Sequence, residues 1–311
     1  MKVAQDCMSG GGTPDQNLIL LDEVPVYNVM HLGGFFSVFN AAAIKSVDFY
    51  KGAFPAIYGG RLSSVVDIKM KDGNNKKLGA SIDLGLLNQS VTIEGPIVKN
   101  KSSFIVSGRT STVGLASLLA GRNNAGSGER YTYWFYDLSA KVTHKINDTD
   151  QIYLSFYNGF DRFRYTEWLS SGNGQQAKTG IGNIWGNSTG TVRYSKMFSP
   201  KLFSKTTFLY SHYTSAFKNE FSGSGEQAND MLFRNTDAAV NDFGLKFQLE
   251  YFPSNFVDLK IGADFTRHIF NPFTTASNYT TNIQRSVTRR IYASQVDGFV
   301  DAGIKLLVTC E

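Results

Sequence analysis

The residues best placed to do chemistry in this sequence are an acidic pair, Asp22-Glu23, and an arginine, Arg61, that directly follows Gly59 and Gly60. A guanidinium beside two residues without side chains can approach a carboxylate edge-on and bind it through two parallel hydrogen bonds. The glycines allow backbone conformations or close approaches that a side chain would block. The alternative for Arg61 is a solvated surface arginine. Asp22-Glu23-Val24-Pro25 reads as a turn between two strands, with the acids as its polar tip and Pro25 limiting strand continuation, and an ordinary hairpin turn would explain it. Asn40 before Ala41-Ala42-Ala43-Ile44 has the form of an N-cap on a short helix.

Catalytic chemistry has no comparable signal. Ser, His and acidic residues are present, yet no nucleophile elbow, phosphate loop or metal motif is formed. Cys7 and Cys310 lie at opposite ends, which excludes a disulfide framework and offers no metal-ligand spacing. His31, His144, His212 and His268 are equally dispersed, and each reads as a solvated or interfacial side chain. The expectation is a protein that is not an enzyme and holds no cofactor and no metal. A formal charge of +5 and a pI near 9.0 invite a nucleic-acid partner, but the basic residues are scattered through the sequence and form no patch.

The elements that must position these residues are strands. In 241–251, Phe243, Leu245, Phe247, Leu249 and Tyr251 alternate with Asp242, Lys246, Gln248 and Glu250. After Pro253-Ser254-Asn255 the period of two resumes, with Val257, Leu259, Ile261, Ala263 and Phe265 against Asp258, Lys260, Asp264 and Thr266, so the two runs form a hairpin. Upstream, Trp134, Tyr136, Leu138, Ala140, Val142 and Ile146 oppose Asp137, Ser139, Lys141, Thr143 and Lys145, before a turn at Asn147-Asp148-Thr149. The pair 184–198 and 201–217, joined at Ser199-Pro200, carries apolar residues on both faces. Strands of about 13 to 17 residues exceed the usual 5 or 6 of globular sheets. At roughly 3.3 Å per residue and a tilt near 40°, about 15 residues rise more than the roughly 25 Å apolar band of an outer-membrane barrel.

The connections point the same way. Turns near 98–101, 147–149, 199–200 and 253–255 are short, while 111–132, 164–183, 218–239 and 271–288 read as long loops rich in Gly, Asn, Ser and Thr. Only the first hairpin, turning at Asn88-Gln89, departs from this asymmetry of short periplasmic turns and long extracellular loops. With 18% charged residues, 14% aromatics and no apolar run long enough for a membrane helix, the composition suits a barrel. Its aromatics are numerous enough for interfacial girdles, with Trp134, Tyr136, Tyr251 and Phe252 near strand ends. A soluble sheet core is the plainer explanation for the same aromatics.

The first 75 residues are different in kind. Gly11-Gly12-Thr13-Pro14-Asp15-Gln16-Asn17, followed by Leu18-Ile19-Leu20-Leu21-Asp22-Glu23-Val24-Pro25-Val26-Tyr27-Asn28, resembles the plug domain of TonB-dependent outer-membrane receptors of the type common in Bacteroidota. The resemblance continues through Phe35-Phe36-Ser37-Val38-Phe39-Asn40, Ile44-Lys45-Ser46-Val47-Asp48-Phe49-Tyr50-Lys51-Gly52 and Tyr58-Gly59-Gly60-Arg61-Leu62-Ser63-Ser64-Val65-Val66-Asp67-Ile68. It departs from the family at Ser9-Gly10, where an arginine usually precedes the double glycine. On this resemblance Gly11, Gly12, Asp22, Tyr58, Gly59 and Gly60 are plug-motif residues, and Arg61 is a candidate plug-to-barrel contact.

What the resemblance implies is a mainly β chain. Residues 1–75 would be the C-terminal part of a plug, and 76–311 about ten antiparallel up-and-down strands, the N-terminal part of an incomplete outer-membrane β-barrel. The strands fall at 79–87, 90–97, 102–110, 133–146, 150–163, 184–198, 201–217, 240–252, 256–270 and 289–307. The family's barrel has about 22 strands and a plugged lumen, so the sequence reads as an internal fragment. The edges of such an unclosed sheet would not be tolerated in hydrocarbon. The implied function is energy-coupled uptake of a scarce nutrient such as a glycan, peptide or metal chelate across the outer membrane. The implied partners are the inner-membrane TonB complex, the extracellular ligand and, in this branch, a surface lipoprotein. The alternative is a passive porin or structural outer-membrane protein, which has no need of a folded plug.

Overall fold

The structure is a computed structural model that describes residues 17–31, 34, 36–52, 54–59, 64–112, 128–170, 176–223, 232–279, 282–287 and 289–304. Its first part contains β1 (Leu18–Leu21), β2 (Val24–Pro25), β3 (Met30–His31), β4 (Phe36–Ser37), a 3-10 helix (Ala41–Ala43), β5 (Ile44–Lys51) and β6 (Ser64–Met70). Four strands form a sheet in the order β2-β1-β6-β5, with β1 parallel to β6, and β3 pairs with β4. Leu21, Val26, Val38, Val66, Ile68 and Met70 make the core of this unit together with Tyr157 from the large sheet.

Local chemistry explains its turns. Leu21 pairs with Val24, and Asp22 and Glu23 between them both have positive φ, 46° and 73°. This is the two-residue turn whose twist matches a hairpin. Such conformations cost side-chain-bearing residues on the order of 1 kcal/mol or more. Here the cost is offset by Asp22, whose N–H donates to Ile68 O at 2.8 Å and whose Oδ1 accepts from Met70 N at 3.1 Å. Asn40 caps the short helix as expected, its Oδ1 accepting from Ala42 N at 3.2 Å.

The large sheet holds eleven strands: β7 (Gly79–Leu84), β8 (Asn88–Val98), β9 (Ser102–Ser111), β10 (Gly128–Lys145), β11 (Asp150–Ser170), β12 (Gln176–Ser199), β13 (Leu202–Gly223), β14 (Leu232–Ser254), β15 (Val257–Tyr279), β16 (Asn282–Val287) and β17 (Ile291–Ile304). Each pairs antiparallel with its sequence neighbour, except that β15 pairs with β16 over 274–279 and with β17 over 257–270. Among the described residues β7 does not pair with β16 or β17, so the sheet is open. Gly73 lies where the first part crosses to this sheet. Its φ is +78°, and a Cβ there would stand 2.3 Å from the Phe104 carbonyl oxygen, so only glycine fits.

The expected hairpins are present, and their lengths need correction. β10 to β15 run 18 to 24 residues, so strands occupy much of what read as loops at 164–183, 218–239 and 271–288, and 128–132 of the loop expected at 111–132. Gly, Asn, Ser and Thr suggest loops by composition, but a ladder is made by backbone groups and tolerates them where neither face must be apolar. The strand expected over 289–307 begins at Ile291, and β16 lies inside an expected loop, making eleven strands where ten were counted. The first turn is at Gly85–Leu87, with Gly85 N donating to Asn88 O at 2.9 Å, and Asn88 and Gln89 already belong to β8. The apolar Leu84-Gly85-Leu86-Leu87 imitates strand although Leu86 is 89% exposed. The β14–β15 turn is centred on Asn255–Phe256.

The two faces of the large sheet sort as the alternation requires. Phe243, Leu245 and Phe247 are exposed on the outer face, while Asp242 and Gln248, which flank this run, are buried on the inner face. β13 carries apolar residues on both faces because Phe208 points outward and Leu209 packs under the first unit. That answers its blurred alternation.

Candidate functional site: a buried charged seam between plug and wall

The turn at Asp22–Glu23, the segment after it and β3 deliver their polar groups to the inner face of β9 to β14. His31 in β3 has no solvent exposure and stacks on Phe135 of β10, ring centroids 4.1 Å apart. Its Nδ1 lies 2.7 Å from Asp161 Oδ2, and its Nε2 lies 2.9 and 3.0 Å from the oxygens of Asp137. Arg109 of β9 donates its Nε to Asp137 at 2.8 Å and its Nη2 to both Asp137 and, at 2.6 Å, Ser37 O. Tyr157 donates to Asp137 Oδ1 at 2.8 Å, and Tyr133 donates to Asp161.

This arrangement sets the charge on His31. A neutral imidazole has a single N–H, so one ring nitrogen would turn its lone pair toward a carboxylate. The imidazolium satisfies both, and with Arg109 it balances two carboxylates. Burial alone would lower the His31 pKa. The hydrogen bonds and charges of Asp137 and Asp161 outweigh it and raise the pKa above its ordinary value.

A second cluster lies under the turn. Lys141 of β10, 5% exposed, points Nζ at Asp22 Oδ2 (3.3 Å), Asp72 Oδ1 (3.2 Å) and Met70 O (3.2 Å), and sits over the Tyr153 ring. Burial pushes the Asp72 carboxyl up, but Lys141 and Lys45 hold it below the usual range. Glu23 pairs with Arg193 of β12 and accepts from Thr207 Oγ1 at 3.2 Å. Farther along, Tyr27 donates its hydroxyl to Asp242 of β14, which also meets His268 Nδ1 at 2.7 Å. Asn187 accepts from Tyr27 N at 3.1 Å and donates to Asn28 O at 2.7 Å.

Toward β14, β15 and β17 the contact opens. A cavity of about 260 Å³ separates Tyr50, Tyr58 and Lys69 from Lys205, Lys246 and Asp264. Tyr58 donates to Asp67 Oδ2 at 2.9 Å, and burial together with the Asp67 charge raises its pKa. Among the described residues no group of three or more His, Cys, Asp or Glu is placed to hold a metal ion.

Of the residues singled out in the sequence, Gly11, Gly12, Gly60 and Arg61 lie outside the described residues. Asp22 is part of the seam, and Tyr58 and Gly59 border cavities. Two readings need correction. Asp22 and Glu23 do form the expected turn, but its polar tip packs against the wall: Asp22 is 3% exposed and both acids pair with wall cations. His31 is neither solvated nor interfacial but fully buried between two carboxylates. Gly59 shows no need for glycine either: its φ is not in the left-handed region, and a Cβ there would come no nearer than 3.9 Å to Asp297. The residues missed were Arg109, Asp137 and Asp161. The available signal was acidic residues at inward positions of an alternating strand, as Asp137 is.

With this geometry in hand, comparison with known proteins is specific. Residues 4–66 match the sequence model of the TonB-dependent Receptor Plug Domain. The fold resembles the ferric yersiniabactin uptake receptor FyuA from Yersinia pestis, with 11% identity over 94% of this chain and 54% of that one, at a TM-score of 0.53. It also resembles the unliganded ferric citrate transporter FecA, with 10% identity over 96% of this chain and 53% of that one, at a TM-score of 0.53. This chain thus spans about half the length of both. No curated protein gave a significant sequence match. The segment that carries Asp22, Tyr27 and His31 therefore matches a plug domain, and the long antiparallel strands that receive them share their fold with two uptake proteins.

Proposed function

We propose that the chain is part of a TonB-dependent outer-membrane receptor that takes up a scarce nutrient by energy-coupled remodelling of its plug. In this reading residues 1–75 belong to the plug and 76–311 to the first strands of the barrel. The observation that supports it best is the buried seam: His31, Asp22 and Glu23 tie a plug-like unit to the inner face of strands too long for a soluble sheet. A wide barrel leaks unless its lumen is filled, and a filled lumen passes a ligand only if work is done on the filling. That work would come from the TonB complex, and capture from the extracellular ends of the strands, in a Gram-negative outer membrane. FyuA and FecA are named for ferric ligands, but identities of 10 and 11% carry fold and not substrate, so the ligand class stays a glycan, peptide or metal chelate. A surface lipoprotein partner belongs to the same proposal.

The test is growth on a candidate nutrient by cells carrying the intact receptor, with and without TonB. Uptake should vanish without TonB, and deletion of residues 11–68 should leave a passive pore. Uptake that continues unchanged without TonB would replace this reading with a porin.

A further inference from the structure

The outer face of the same sheet carries a polar groove that the seam does not use. The pairings Arg162↔Ile184↔Ala216, Arg164↔Gly182↔Lys218 and Thr166↔Gly180↔Glu220 place these residues side by side on β11, β12 and β13. By strict alternation they share the face of Phe156 and Phe208, opposite the buried Tyr157 and Leu209. Arg162, Arg164, Gly180, Gly182, Lys218 and Glu220 line a cavity of about 190 Å³, several times the ~30 Å³ share of one water. The two glycines are its floor. A Cβ at Gly182 would lie 3.6 Å from Lys218 Cβ, and one at Gly180 would lie 3.6 Å from Glu220 Oε2, so any longer side chain would fill the space.

The groove is rich in unpaired positive charge. Glu220 takes Arg164 on one oxygen and Lys178 on the other, each at 3.0 Å. Arg162 and Lys218 have no carboxylate partner among the described residues, and Arg130, opposite Thr166, adds another cation to this face. The only other acid beside it among the described residues is Asp237, opposite Ala216 and bonded by Asn235.

Its height on the sheet matters as much as its charge. Arg162 lies ten residues beyond Ile152 on β11, which at roughly 3.3 Å per residue and a tilt near 40° is about 25 Å, the full apolar band of an outer-membrane barrel. Immediately beside it Trp134, Tyr136 and Phe160 form an outward aromatic cluster with centroids 5.3 to 6.0 Å apart, as expected of an interfacial girdle.

We propose that this groove binds the phosphate of an anionic lipid headgroup in the outer leaflet. The proposal rests on reading the sheet as a membrane wall. A soluble anion bound for the lumen would meet the opposite face, whereas a lipid whose chains lie on Phe156 and Phe208 brings its headgroup to Arg162, Arg164 and Lys218. Guanidinium pairs suit phosphate oxygens.

The test uses the intact receptor in detergent, offered a phosphorylated glucosamine-based lipid and its dephosphorylated counterpart, with bound lipid counted by native mass spectrometry. The phosphorylated form should bind at least about tenfold better. Arg162→Gln with Arg164→Gln should weaken it about twenty-fivefold, at about fivefold per cation. Gly182→Leu should weaken it with no change of charge, while Arg164→Lys should keep most of the binding. Lys99→Gln with Lys101→Gln, in a turn at the far end of the sheet, matches the charge change and should have no effect. Heat-modified gel mobility identifies any variant that has not folded, for which Arg162→Gln alone and Gly182→Leu are the substitutes. Equal binding of the two lipids, or full binding by the double arginine variant, would overturn the proposal. Displacement by inorganic phosphate at the lipid's own concentration would overturn the lipid as the source. A receptor that does not partition into vesicles at all would instead defeat the membrane reading beneath it.

Discussion

Against β9 to β12 the plug is held by ionised side chains that are almost dry, His31 at 0%, Asp161 at 2% and Lys141 at 5% exposure. Beyond the buried Asp242 of β14, which Tyr27 still meets, the same residue types stand around a cavity, with Lys246 at 25%, Asp264 at 18% and 4.0 Å between them. The charges on the dry side have lost their water and depend on one another. Removing one leaves its partner buried and uncompensated. Those around the cavity are only partly buried and should depend less on a partner. The difference teaches that counting ion pairs says little about where the plug is fixed, and that burial decides it.

The comparison breaks most visibly at Asp137. Asp137→Ala strips partners from His31, Arg109 and Tyr157 together, and should cost on the order of 3–5 kcal/mol. Hydrogen exchange at 30–31 and 36–38 should lose protection. If Asp264→Ala cost as much, the two sides would not differ. Next in size is Asp22→Asn, which keeps the bond from Met70 N but removes the charge facing Lys141, for about 1.5–3 kcal/mol by denaturant unfolding. Asp72 remains as a partner, so the loss should stay below that of Asp137→Ala.

His31 sharpens the comparison through pH. Its pKa is raised in the folded protein, so its contribution is fully present below the ordinary 6.5 and is lost as pH rises through the folded value. Exchange protection around His31, corrected for intrinsic rates, should therefore fall with rising pH above that point, and His31→Gln should flatten the curve. A contribution that grew with pH would mean a neutral ring and a different proton on one carboxylate. The smallest effect is expected at the cavity, where a double-mutant cycle on Lys246→Met and Asp264→Asn should give a coupling within about 1 kcal/mol.

How much of this could be read in the sequence depends on how far apart the cooperating residues lie. Hairpins were legible because alternation and a tight turn are local, as in 241–267, and so was the Asn40 cap. Strand ends were not, because Gly180, Gly182 and Asn183 extend β12 through backbone bonds that leave no trace in composition. The turn at Asp22–Glu23 was legible, but its destination was not, since Lys141 and Arg193 are far along the chain. Asp137 and Lys141 were visible as inward polar residues. His31 was not, because a lone histidine in an irregular segment carries no sign of the two acids that will enclose it.

The seam also sets an order of events. Wall strands pair mostly with their sequence neighbours, whereas Asp137 to His31 spans 106 residues and Tyr27 to Asp242 spans 215. Doubling a loop adds only about 0.6 kcal/mol of closure entropy, so distance along the chain scarcely weakens these contacts once made. It does delay them, because partners remote in sequence are the last to meet. The N-terminal segment, although synthesised first, must therefore wait for strands made long after it, with Asp22, Glu23 and His31 still in water until β10 to β12 have zipped together.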